Sequence, residues 1–145
     1  MLKLHIKEVD IDNDDRCFVY CEDEYGNSYR FPLTYKKARI VALLLTDAYV
    51  PQNSIYEFVI NLFEEIGFYV DSVVINDGYN NKAKVNIKDY STNDIKSFHL
   101  SIPDALILHL MSESKLYVDK EAEILLADEV GKFFWYRFLK ELDLC

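Results

Sequence analysis

The sequence predicts an α+β fold of pseudo-duplicated strand-strand-strand-helix units. Two antiparallel or mixed sheets are expected to flank central helices, with an amphipathic helix and a C-terminal helix added. Three observations lead there. Phe98 to Leu110 reads as an alternating strand that stops at Ser101 and passes into a helix apolar nearly all round, Ala105 to Leu110, whose only polar member is His109. Such a helix has to be covered on more than one side. Shifting the chain by 67 residues lays Phe31 on Phe98, Leu33 on Leu100, Thr34 on Ser101, Ala38 on Ala105 and Ile40 on Ile107. Each copy follows about three strand-like runs, so two central helices packed together, with a sheet outside each, are expected.

The elements follow in order. Leu2, Leu4 and Ile6 alternate with Lys3, His5 and Lys7, the pattern of a strand with one dry face, which puts His5 toward solvent. Asp10 to Asp15 has aspartates at alternate positions like a calcium loop. Asp15, however, stands where the sharp turn needs Gly, and Cys21 where a bidentate Glu should close the site, so a solvated acidic turn is expected. Arg16 to Glu22 and Asn27 to Leu33 read as strands joined by an acidic reversal at Gly26-Asn27. Thr34 then opens the first central helix, with Lys36, Lys37 and Arg39 in its early turns. Cations there oppose the helix dipole. They imply either an anion site or, the favoured reading, salt bridges to neighbouring acids.

Ser54 and Glu57 form a capping box for the next helix, which Gly67 ends. Ile55, Phe58, Val59, Leu62, Phe63 and Ile66 make its apolar face, leaving Tyr56, Glu57, Asn61, Glu64 and Glu65 as its exposed one. Strands are expected over 68–76 and 82–89, around a turn at 77–81, and a third over 94–100. His99 should point away from Phe98 and Leu100. Ser101, with Pro103 and Asp104 in the first turn, caps the second central helix. His109 on that helix reads as a hydrogen-bonded core residue. Residues 115–118 form a short strand, and Asp119 is expected to cap a helix through about Ala127. Finally Phe133, Phe134, Trp135, Tyr136, Phe138 and Leu139 mark an aromatic helix over 128–145, expected to pack on the domain 1–127 or at an oligomer interface.

Composition narrows the function. Half the 145 residues are hydrophobic, so one full core is within reach. The 25 acids against 16 bases, net −9, oppose non-specific attraction to nucleic acid and to anionic lipid, so any such contact needs a local basic patch. The N-terminus alternates where a signal peptide would be basic and then apolar, and no apolar run is long enough to cross a bilayer. Cys17 and Cys21 share one face of a strand but stand too far apart to bridge. With Cys145 they form an odd set, so a reduced, cytoplasmic protein is expected.

From Met1 to about Val118 the order of parts resembles the bifunctional nuclease family of bacteria and plants. Members read Leu-Pro-Ile-Trp-Ile-Gly, followed by a Glu, where this chain has Phe31 to Lys36 and then Arg39. They read Thr-His-Asp against Ile55-Tyr56-Glu57, and Leu-Glu-x-Leu-Gly against Phe63 to Gly67. The strongest match is Arg-Pro-Ser-Asp-Ala-Leu and a Pro-Ile-Tyr-Val type strand, here Ser101 to Leu106 and Leu116-Tyr117-Val118. Of the family's polar marks, Asp104 is kept and Glu57 replaces Asp, whereas Tyr56, Arg39 and Ser101 replace His, Glu and Arg.

The resemblance implies metal-assisted hydrolysis of DNA or RNA phosphodiesters. Asp104 and Glu57 would be the catalytic carboxylates, Asp104 a ligand of magnesium or manganese, and Lys36, Lys37 and Arg39 the phosphate-steering cations. It also implies a homo-oligomer, taken as a dimer. The alternative is a non-catalytic interaction module that binds a protein partner or an anionic ligand. On that reading Asp104 serves the helix cap.

Overall fold

The computed structural model describes residues 1–11, 15–46 and 54–123, with side chains as far as residue 119. The chain runs β1 (Leu2–Ile11), β2 (Cys17–Asp23), β3 (Ser28–Leu33), α1 (Tyr35–Leu45), α2 (Ile55–Glu65), β4 (Phe68–Asp77), β5 (Lys82–Asp89), β6 (Ile95–Ser101), α3 (Ile102–Ser112) and β7 (Lys115–Glu123). The mixed α+β class expected from the sequence is what is found. The arrangement of the sheet differs.

The seven strands form one sheet in the order β3-β2-β1-β7-β4-β5-β6. Two antiparallel meanders, β1-β2-β3 and β4-β5-β6, each lead into a helix, and β7 joins them. It pairs antiparallel to β1 through Leu2 and Lys3, and parallel to β4 from Ser72 onward. β7 also corrects a helix boundary. Asp119 lies inside this strand instead of capping a helix, because the strand runs on beside β4, which supplies a backbone partner as far on as Glu123. Residues 124–145, including the expected aromatic helix, lie outside the described residues, as do Asp12 to Asp14 of the acidic turn.

Alternation decides what the sheet covers. Leu4 and Ile6 of β1, Cys17, Val19 and Cys21 of β2, Tyr29, Phe31 and Leu33 of β3, and Ala83, Val85 and Ile87 of β5 point into one core. There α3 is buried on every side. Ile102, Ala105, Leu106 and Ile107 are at most 1% exposed, and each large aliphatic chain so removed from water contributes roughly 2 kcal/mol. The helix touches β3, β4, β5 and β6 as well as α1 and α2, so the sheet, edge strands included, curls around it. A central rod was expected between two sheets. One curled sheet does the same work, because a twisted sheet wraps a helix without a second layer. The twin rod is less enclosed than expected. α1 buries only Ala38 and Val41 fully and packs beside α3 with Ile40, Leu44 and Leu45 half-buried.

The second face of the sheet is polar over β4, β5 and β6. Asn86 there donates to Ser72 Oγ (2.9 Å) and accepts from Ser97 Oγ (2.7 Å). Toward β2 the ring of Phe18 lies under the guanidinium groups of Arg30 (4.1 Å) and Arg16 (5.8 Å).

The hairpin between β2 and β3 turns at Gly26, whose φ of 84° suits a residue without a Cβ. Asp23 organises it, accepting from the amides of Tyr25 and Asn27 (2.9 and 3.0 Å) and from Tyr29 Oη (2.8 Å). Burial acts to raise its pKa, yet the bonds from Tyr29, Asn27 and Tyr25 outweigh it and bring the value to about 2. Cys17 and Cys21 are buried, and burial pushes the Cys21 thiol far up.

Candidate binding groove beside Asp104

Asp104 stands where β6 gives way to α3. Ser101 caps the helix, its Oγ accepting from the Asp104 amide at 3.4 Å, and the same hydroxyl donates to Asp104 Oδ2 at 2.9 Å. The expected capping box is therefore modified. The first-turn carboxylate takes the hydroxyl of the cap in place of its amide. Two more donors converge on Asp104 Oδ1, Tyr56 Oη from α2 at 2.6 Å and Lys37 Nζ from α1 at 3.0 Å. Three helices are thus tied at one carboxylate, with Lys37 and Asp104 each 32% exposed. Burial acts to raise the Asp104 pKa, but the bonds from Tyr56, Lys37 and Ser101 and the charge of Lys37 bring it below the usual carboxylate range. Tyr56 is pushed well above the ordinary phenol, first by burial and then by Asp104.

Asp104 closes one end of a groove of about 520 Å³. Val85 and Ile87 of β5 form its floor, Tyr56, Val59 and Phe63 of α2 one wall, and Phe98 and Leu100 of β6 the other. The cross-strand pairs Val85 with Phe98 and Ala83 with Leu100 set that wall on the core face, because directly paired residues share a face. Its lining is mostly apolar, with Tyr56 and Asp104 at the closed end and His99 of β6 as the polar members. A volume of 300 to 1,000 Å³ with few polar groups is typical of small-molecule sites.

The expected site is thus regrouped. Asp104 and Lys37 come together as an ion pair, which bears out the salt-bridge reading for that lysine. Lys36 and Arg39 are exposed on α1. Glu57 holds the first turn of α2, its amide bonded to Ser54 Oγ at 3.1 Å, while the residue that α2 sends to Asp104 is its neighbour Tyr56. Tyr56 corrects the expected exposed face of this helix. It is half-buried, whereas Ile55, Phe58, Leu62 and Ile66 are 44% to 65% exposed. One signal for this was present, since Tyr56, Val59 and Phe63 fall at i, i+3 and i+7, a stripe of their own.

The donor set does not fit a divalent cation. Asp104 Oδ1 already takes both Tyr56 Oη and the Lys37 ammonium, and among the described residues no group of three or more His, Cys, Asp or Glu is arranged to hold one. His109 sits apart on α3, half-buried, its Nδ1 without a hydrogen-bond partner among the described residues; burial lowers its pKa, against the contact with the Ser114 carbonyl.

No helix among the described residues is long and apolar enough to cross a membrane. No protein-family model matches the chain, and no curated protein matches it either.

Proposed function

We propose that the chain is a non-catalytic binding module that seats an amphipathic molecule in the groove between α2 and β5-β6. The observation that carries this reading is the state of Asp104. Its carboxylate is taken up by Tyr56, Lys37 and Ser101 at the closed end of an apolar channel. An apolar body fits against Val59, Phe63, Val85 and Ile87, and its release of water is the driving force. A polar head then meets the remaining N–H donors of Lys37, which favours an anionic group such as a carboxylate. Phosphodiester hydrolysis, the expectation from the nuclease resemblance, needs carboxylates free to hold a metal or to act as a base. Asp104 is committed to its neighbours instead.

Two further readings accompany it. The matching meander-helix order of the two halves supports an internal duplication, and the burial of the Cys17 and Cys21 side chains in the core suits a reducing, cytoplasmic setting.

Titrating the chain with decanoate and following the Val85 and Ile87 methyl resonances tests the reading. Saturable shifts are expected, weakened about tenfold by Lys37→Met and lost in Val59→Trp, which fills the groove. Incubation with single- and double-stranded DNA and RNA plus magnesium or manganese is expected to give no product. Cleavage abolished by Asp104→Asn would overturn the module in favour of the nuclease.

A further inference from the structure

β6 is one margin of the sheet and pairs only with β5 among the described residues. Two bonds phase that ladder. The Asp89 amide donates to the Asp94 carbonyl (3.0 Å) and the Ile102 amide to the Asn81 carbonyl (3.2 Å), one bond at each end of the β5-β6 register. Hydrogen-bonded pairs recur at every second residue of an antiparallel ladder, so Lys96, Phe98 and Leu100 bond to β5, while Ile95, Ser97 and His99 turn their N–H and C=O groups outward. Those groups meet no partner among the described residues, and every residue over 95–99 is exposed. The opposite margin differs. β3 carries Pro32, which has no N–H, and none of its residues is exposed. β6 has no proline, and its register with β5 runs without a bulge. The open edge also borders the groove, since Phe98 (56% exposed) lines it across from Ile55 (65%) of α2.

We infer that β6 accepts an extended peptide of another protein as a further strand of the sheet, with alternate side chains of that peptide directed to the groove. Main-chain bonds to an open edge supply affinity, and the groove beside it supplies selectivity. The edge favours a peptide over a plain hydrocarbon chain, because only a backbone answers unpaired N–H and C=O groups. The pairing is antiparallel, the more stable ladder per residue. Directly opposed residues share a face, so the peptide residues opposite Leu100, Phe98 and Lys96 lie on the groove side. The first two are apolar. The third is acidic, because β6 has Lys96 exposed on that face and no acid from Ile95 to Ser101. Along the peptide this reads apolar-x-apolar-x-acidic, and the intervening residues, opposite His99 and Ser97, carry the main-chain bonds. The seating of the apolar side chains in the groove rests on the binding reading above; the edge pairing does not.

The probe is acetyl-Thr-Val-Thr-Leu-Thr-Glu-Thr-amide, titrated to about 1 mM into the full chain while amide resonances and hydrogen exchange are followed. Saturable shifts and slowed exchange are expected at the Ile95, Ser97 and His99 amides. N-methylation of the two Thr residues that flank Leu removes the donors that face β6 and is expected to abolish binding. N-methylation of Leu and Glu, whose N–H groups face away, should leave it. Lys96→Glu should weaken the parent peptide about two- to five-fold, and replacing the peptide Glu by Lys should restore it. A parent peptide that does not bind, or two N-methylated peptides that bind alike, overturns the inference. So does exchange at the β6 amides that slows with the concentration of the chain alone, which would give the edge to a second copy. Decanoate separates the two proposals. Decanoate shifts without any response to the peptide remove the edge pairing and leave the groove reading. Peptide shifts confined to β6, with the Val85 and Ile87 methyls unmoved by peptide and by decanoate, remove the groove reading and leave the edge pairing standing.

Discussion

Tyr56 Oη donates to Asp104 Oδ1 at 2.6 Å across 48 residues of sequence, fastening the first turn of α2 to the first turn of α3. The bond closes one end of the groove and holds the wall that α2 provides. Removing the hydroxyl takes one of three donors from a partly buried carboxylate. Tyr56→Phe is expected to cost about 1 to 2 kcal/mol in urea denaturation and to let the Asp104 pKa rise toward the ordinary carboxylate value, read from its side-chain carboxyl resonance. An unmoved resonance would show that the bond does not form in solution.

Acid should loosen the protein through two carboxylates. Both Asp104 and Asp23 have folded-state pKa values below their ordinary one, so the native state binds fewer protons than the unfolded chain. The stabilisation is complete above the usual carboxylate range and disappears as pH falls through the folded values, for Asp23 between about 3.8 and about 2. Urea midpoints measured from pH 6 to pH 2 should fall across that window, and less steeply in Asp23→Asn.

The two caps should not weigh equally. Thr34→Ala removes one acceptor from the first turn of α1, at about 1 kcal/mol. Ser101→Ala removes the acceptor for the Asp104 amide and a donor to its carboxylate, at about 2 kcal/mol. Equal denaturation midpoints for the two variants would contradict the modified cap.

Asp104→Asn keeps a side-chain acceptor for Tyr56 but loses the charge facing Lys37. A loss of about 1 kcal/mol is expected, with decanoate binding retained because the Lys37 ammonium is freed for an anionic head. Calorimetric titration of the variant checks this; abolished binding would mean the carboxylate itself contacts the ligand.

Cys17 and Cys21 should resist alkylation in the native protein and react on unfolding, since both sit in the core. Peptide mapping after iodoacetamide treatment, with and without urea, reads it directly.

Local chemistry was legible in the chain itself. Thr34, Ser54 and Ser101 announced their helices because a cap is a matter of a few adjacent atoms. The alternation of β5 fixed its strand at 82–89, and Gly67 ended α2 as expected. The unbroken apolar run at 105–108 required a helix enclosed on all sides, and α3 is that helix. What encloses it depends on partners far away in sequence. Leu2 and Lys3 pairing with Val118 and Tyr117 merges two meanders into one sheet, and the pairing of β7 with β4, as far as Asp77 with Glu123, carries the strand past Asp119, where local signals favoured a helix. The groove has the same origin. Nothing near Tyr56 says that it meets Asp104, nor that Lys37 comes to the same oxygen, because convergence on one carboxylate is set by how three helices pack inside a curled sheet. Periodicity marks a face as apolar; only the packed structure decides whether that face joins the core.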